Sequence, residues 1–366
     1  MDRILWRAAV PAAVILLSAN SAALGHGFAG QRFFPATILT DDPFVADEMS
    51  LPQVSRNPPG PDGAQESDIQ IDLSKRITPD TDVTIRNQWR YLQPQGLPAV
   101  TGLGGLQTGA QYQLFVNGPH EALGLLGLNV TWAHTGRVQA LRAPDFTTLS
   151  PTFDFGKGLG DLPRSLPYLR PFAVTGNLGF DFPTKTESAG VPNPDNFNYG
   201  FALEYSLPYL QCCVKDIGLR EPFNRLIPLV EVAFTTPMNR VSSSQTVGTV
   251  QPGVIWAGQY FQIGAEAILP ATRLTGHGYG GVIQFHVYLD DLFPHSIGKP
   301  ISEWWCCEGS WWRSLPPRRC PPRRRRGRTL SSTMRVQRSA ARCQPRRRSL
   351  PCGLHRTSNL RSAACR

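Results

Sequence analysis

The chain has 366 residues, 41% of them hydrophobic, and a formal charge of +10. That charge is local: residues 301–366 carry seventeen Arg, no Lys and two acidic residues, leaving 20 basic and 25 acidic residues at positions 1–300, a formal −5. The first three hundred residues are thus mildly acidic, and their net charge gives no sign of a nucleic-acid-binding surface.

The N-terminus reads as a secretory signal peptide, residues 1–25. MDRILWR supplies Arg3 and Arg7, AAVPAAVILL is the apolar run, and Ala23 with Gly25 forms a small-x-small cleavage site before His26. The apolar run, about ten residues long, is too short to span a bilayer as a helix. No Cys follows it, which argues against a lipoprotein anchor. A mature chain starting at His26 offers copper an amine and a ring, but no second His is placed to complete a ligand set.

From residue 68 onward the pattern is that of strands. In SDIQIDLSK, Ile69, Ile71 and Leu73 alternate with Asp68, Gln70, Asp72 and Ser74; after the turn TPDT, Val83, Ile85, Trp89 and Tyr91 oppose Thr84, Arg86, Gln88 and Arg90. The device recurs in AQYQLFV (110–116), ALGLLGLNVTWAH (122–134), PFAVTGNLGFDF (171–182), NYGFALEYSL (198–207), LIPLVEVAFT (226–235) and GGVIQFHVYL (280–289). Phe180, Phe201 and Phe234 fall on the apolar faces.

Strands of about ten residues with one apolar, aromatic-rich face and one polar face suit a barrel with lipid outside and water inside. A secreted, soluble β-rich binding protein shares the local pattern, with the faces reversed. Loop lengths favour the barrel: connections are short at 77–81, 117–121 and 257–259 and long at 93–108, 135–148 and 183–197, with 158–170 and 208–225 as exceptions on the short-turn side. About eleven strands lie between 68 and 290. An even number requires one more, within PATILTDDPFVADEMSLPQVS (35–55), which puts PPGPDG (58–63) in the first external loop and both termini in the periplasm.

Catalytic motifs are sparse. GHGYGG (276–281) matches G-x-G-x-x-G, but the following VIQFHVYL alternates as a strand where a dinucleotide site needs a helix. Cys212 and Cys213 are adjacent and close a ring with one another only with difficulty. An ordinary loop pair, or one bonded elsewhere, is expected. Arg86, Arg90, Glu204, Glu231 and Glu266 fall on faces that look into a lumen, where charge tunes which solutes pass or merely solvates the interior.

The signal peptide, RFFPATILTDDPFVADE (32–48), the loop pattern and FHVYLDDLFPHSIGKPI (285–301) resemble bacterial outer-membrane barrel proteins, in particular those described as phenol-degradation-pathway or transporter-family outer-membrane proteins. The resemblance implies location and architecture rather than substrate. Such chains end soon after the last strand. This one continues through PPRRCPPRRRRGRTL (316–330), with six of the eight Cys beyond residue 301. Arg without Lys, mixed with Pro, Ser, Ala and Cys, reads as out-of-frame translation of a GC-rich gene, an anion- or nucleic-acid-binding tail being the alternative; either is expected to be disordered because the composition cannot bury a core.

The expectation is thus an all-β, transmembrane, antiparallel up-and-down β-barrel of about twelve strands over residues 26–301, with a disordered tail at 302–366. It is expected in the outer membrane of a Gram-negative-type cell, passing or binding small solutes, apolar or aromatic ones included. No catalysis, cofactor, metal or nucleic-acid partner is expected; the partners are the bilayer, the solute and the barrel-assembly machinery during biogenesis.

Overall fold

In the computed structural model the described residues are 27–137, 141, 143–241 and 245–303. The signal peptide, His26 and the Arg/Cys-rich stretch from residue 304 lie outside them.

Among the described residues twelve strands close a barrel: β1 Glu48–Arg56, β2 Gln65–Thr78, β3 Thr81–Gln93, β4 Gln107–Asn117, β5 Ala122–Thr131, β6 Thr148–Gly158, β7 Phe172–Pro183, β8 Asn196–Tyr205, β9 Leu226–Pro237, β10 Val247–Ala257, β11 Phe261–Pro270 and β12 Gly280–Tyr288. Each pairs antiparallel with its sequence neighbours. The last pairs with the first, from Tyr288↔Glu48 to Gly281↔Arg56, and that closure leaves no edge strand. A short strand, Val100–Leu103, adds to the upper half of β3. No described helix is long and apolar enough to cross a membrane. A closed barrel crosses with strands, because its backbone groups are satisfied between strands.

Alternation decides which way each side chain points. Ile69, Leu73, Ile85 and Trp89 are exposed and meet as cross-strand pairs, Ile69↔Trp89 and Leu73↔Ile85. Their neighbours Asp68 and Ser74 are buried. A soluble sandwich would bury the first set and expose the second, so these faces are the reverse of a sandwich's. Aromatic rings gather towards both ends of the strands. At one end Phe180, Phe197, Tyr199 and Phe234 touch in series with centroids 5.1–5.4 Å apart, and at the other Phe172 meets Tyr205 and Trp256 meets Phe261. Two aromatic bands flanking an apolar belt are what the two membrane–water interfaces select.

The added first strand begins at Glu48, later than the 35–55 window alone suggests, and residues 34–47 form no strand. Turns at 79–80, 118–121 and 258–260 lie at the same end as both termini of the barrel; the described residues of the connections that follow β1, β3, β5, β7, β9 and β11 lie at the other. The two long connections at the short-turn end have a structural use: the turn after β8 carries Tyr209, whose hydroxyl donates to Glu121 at 2.5 Å. In the same turn Cys212 and Cys213 are bonded to each other, contrary to the expectation of an ordinary pair or partners elsewhere. The glycines of 276–281 form a loop, Gly276 and Gly278 at positive φ, that leads into β12 and not into a helix.

Candidate functional site in the barrel lumen

Residues 27–47 run inside the barrel, enter from the short-turn end and turn back at 37–42. Sequence reading missed this, because the stretch was assigned partly to a strand. Its signal was available: PATILTDDPFVAD breaks the two-residue alternation that every wall strand keeps.

The wall holds the segment at three levels. Lowest, Arg32 is fully buried, bonds Glu121 at 3.2 Å, donates to the carbonyls of Pro171 and Arg170 at 2.9 and 2.6 Å, and lies 3.7 Å over the Tyr209 ring. Phe34, Phe44 and Ala46 pack there against Leu123 and Ala173. In the middle, the Gln262 amide pairs with the backbone of Ala36, accepting from its N–H and donating to its carbonyl, and Tyr288 donates to Gln262 at 2.6 Å. Uppermost, Glu231 accepts from the N–H groups of Ile38, Leu39 and Thr40 at 2.7, 3.1 and 2.8 Å and from the Thr40 hydroxyl at 3.0 Å. Returning, the segment ends at Asp47, which accepts from Lys75 Nζ at 2.6 Å and Arg76 Nε at 2.8 Å before β1 begins.

Between the segment tip and the strands β1–β5 and β12 is a cavity of about 260 Å³. Thr37–Asp42 and Phe44 form one side; Gln53, Gln70, Asp72, Thr84, Arg86, Gln111, Asn129 and Gln284 form the other. Glu48, Ser50 and His286 complete it along the closure seam, with Ser50 Oγ 2.8 Å from His286 Nδ1 and His286 Nε2 3.2 Å from Glu48. The seam is thus stitched from inside where the register shifts between Gln284 and His286.

Of the five residues singled out from the sequence, only Arg86 borders this cavity, where it bonds Asp72 at 2.6 Å and Asp41 at 3.1 Å. Arg90 is paired with Asp68 and Glu66. Glu231 anchors the segment, Glu204 accepts from Thr175 at 3.2 Å, and Glu266 is buried without a hydrogen-bond donor on either oxygen. The structure therefore disperses the five around the wall: one at the cavity, one holding the segment and three elsewhere.

No protein-family model and no curated protein matches the chain. Similar solved structures include an outer-membrane channel from Pseudomonas putida F1 (11% identity over 68% of this chain and 97% of that one, TM-score 0.45). The KdgM porin has 9% identity over 65% and 98%, TM-score 0.40, and the beta domain of the Bordetella autotransporter BrkA 10% over 67% and 99%, TM-score 0.40. At such identities and scores the likeness says nothing about a solute.

Proposed function

We propose that the protein is an outer-membrane channel for small solutes, its short turns and termini in the periplasm and its longer loops outside. The observation that carries this reading is a closed barrel with an apolar exterior around a polar internal cavity. Such a body is stable only with lipid around it and water within. The internal segment narrows the lumen, so passage is slow or requires the tip at 37–42 to shift. Lining chemistry favours polar solutes over the apolar or aromatic ones of the sequence reading and its phenol-pathway resemblance: only Ile38, Leu39 and Phe44 are apolar among the cavity residues. Arg86, at the cavity, is the lumen charge through which solute choice acts; Arg90, Glu204, Glu231 and Glu266 support the wall and the segment.

Membrane fractionation followed by planar-bilayer recording tests the reading. Outer-membrane recovery with discrete conductance steps is the expected result. A protein recovered soluble in the periplasm, or a folded barrel silent in both bilayer recording and liposome swelling, overturns it.

A further inference from the structure

One rung of the inner wall is uncharged. Cross-strand register places Ser74 on β2 beside Thr84 on β3, Thr84 beside Gly109 on β4, and Gly109 beside Asn129 on β5. The rungs on either side carry charge, Asp72 with Arg86 on one and Arg76 with Asp82 on the other. Ser74, Thr84 and Asn129 all line the cavity, and their side chains have no hydrogen-bond partner among the described residues. Ser74 is only 9% exposed and Asn129 8%, so what they meet is the cavity and not the surface of the molecule. Gly109 makes room between them. A Cβ there would collide with both Thr84 Oγ1 and Asn129 Oδ1, so the two oxygens lean into the space that a side chain would fill.

The charged groups of the cavity are bonded within the protein. Arg86 bonds Asp41 and Asp72, His286 bonds Glu48 and Ser50, and Asp42 accepts from Thr37 through N–H at 2.8 Å and hydroxyl at 3.4 Å. An ion is held only by breaking one of these pairs, and this is how Arg86 acts on solute choice. The uncommitted groups of the rung are neutral. They are two hydroxyls and an amide, and each can both donate and accept.

We infer that Ser74, Thr84 and Asn129 bind a small neutral polyol. The inference rests on the channel reading and names its solute class. Every hydroxyl of such a molecule also donates and accepts, so neighbouring hydroxyls satisfy neighbouring wall groups, while the carbon side lies towards Ile38 and Phe44 of the internal segment. An alcohol with one hydroxyl satisfies one wall group and leaves the others unpaired, which a site built to hydrogen-bond rejects. A cavity of about 260 Å³ admits a chain of a few carbons.

The test uses full-length protein folded in lauryldimethylamine oxide, a detergent without a sugar headgroup, and follows radiolabelled erythritol by equilibrium dialysis. The expected result is saturable binding, reduced by excess glycerol and unaffected by equal concentrations of butanol, sodium butyrate or butylammonium chloride. Asn129→Leu should weaken it by about tenfold, the loss of a hydrogen-bonding group, and Gly109→Val, which pushes both oxygens aside, should abolish it. In the parent protein, absence of saturable erythritol binding, or equal displacement by butyrate or butylammonium, overturns the proposal whether or not a variant folds. A folded Gly109→Val protein that binds like the parent puts the polyol elsewhere and also overturns it. Bilayer recording separates the two readings: conductance without erythritol binding rejects this site, and erythritol binding without conductance rejects the channel while the site stands.

Discussion

Glu231 shows how one side chain positions a whole segment. It is fully buried and far in sequence from the three N–H groups it accepts. Without it those donors lie in the lumen unsatisfied, each costing about 1–3 kcal/mol. Glu231→Ala should therefore free the tip at 37–42 while leaving the wall intact. The expected outcome is larger bilayer conductance with unchanged heat-modifiable mobility on gels. Unaltered conductance would show that Gln262 and Arg32 hold the segment alone.

At the scale of elements, depth in the membrane separates residues that look equivalent in sequence. Phe201 lies mid-strand in β8 and is exposed, whereas Phe180, also exposed, sits near the long-loop end of β7. Phe234 is only half exposed, its ring 5.4 Å from that of Tyr199. Phe201→Arg should destabilise the barrel in lipid by roughly 2–4 kcal/mol and Phe180→Arg by about 0–1. Urea titration in vesicles measures both, and equal costs would show the depth assignment to be wrong.

The outer loops are joined to one another by carboxylates. Asp195 accepts from Asn239 at 2.6 Å and Arg240 at 2.8 Å, tying 184–195 to 238–246. Asp145 accepts from Ser188 at 2.6 Å and Lys185 at 3.2 Å, tying 132–147 to 184–195. The Asn239 bond, then Arg240, holds Asp195 below the usual carboxylate range, and Ser188, then Lys185, does the same for Asp145. A lowered pKa stabilises the folded loops above the unfolded value, about 3.9, and that contribution is lost as pH falls through the lower folded value. Amide exchange in these loops should be pH-independent in protection from neutral down to about pH 5 and lose protection below about pH 4. Protection that persists there argues against the carboxylate ties.

For the whole molecule, the end of the folded body lies past the last strand. Lys75 donates to the carbonyls of Ile297 and Lys299, and Arg76 to that of Gly298, at 2.7–3.0 Å. We expect a chain stopped after Glu303 to insert as well as the full chain, since all twelve strands and the carbonyls of Ile297, Gly298 and Lys299 are kept. A chain stopped after Tyr288 keeps all twelve strands but should insert poorly, having lost these carbonyl partners. Comparing membrane yield and gel mobility of the two truncations decides; failure of the longer one would make the Arg-rich stretch part of the working protein.

The wall was legible in the sequence because a strand's faces are set by a two-residue period, a property of neighbouring residues alone. Ile69, Ile71 and Leu73 announce the outer face of β2 before any partner is known, and even parity with loop length supplied the strand before β2. What occupies the lumen was decided only by tertiary structure. Ile38 and Glu231 are 193 residues apart, and Arg32 and Glu121 are 89 apart. No local pattern says that one segment will supply the donors another strand's carboxylate requires. The same reason makes Arg86, Glu231 and Glu266 indistinguishable as inward polar residues in sequence, yet one borders a cavity, one anchors a segment and one lies buried without a donor. Periodicity encodes the direction a side chain points; closing the barrel around residues 27–47 determines what it meets.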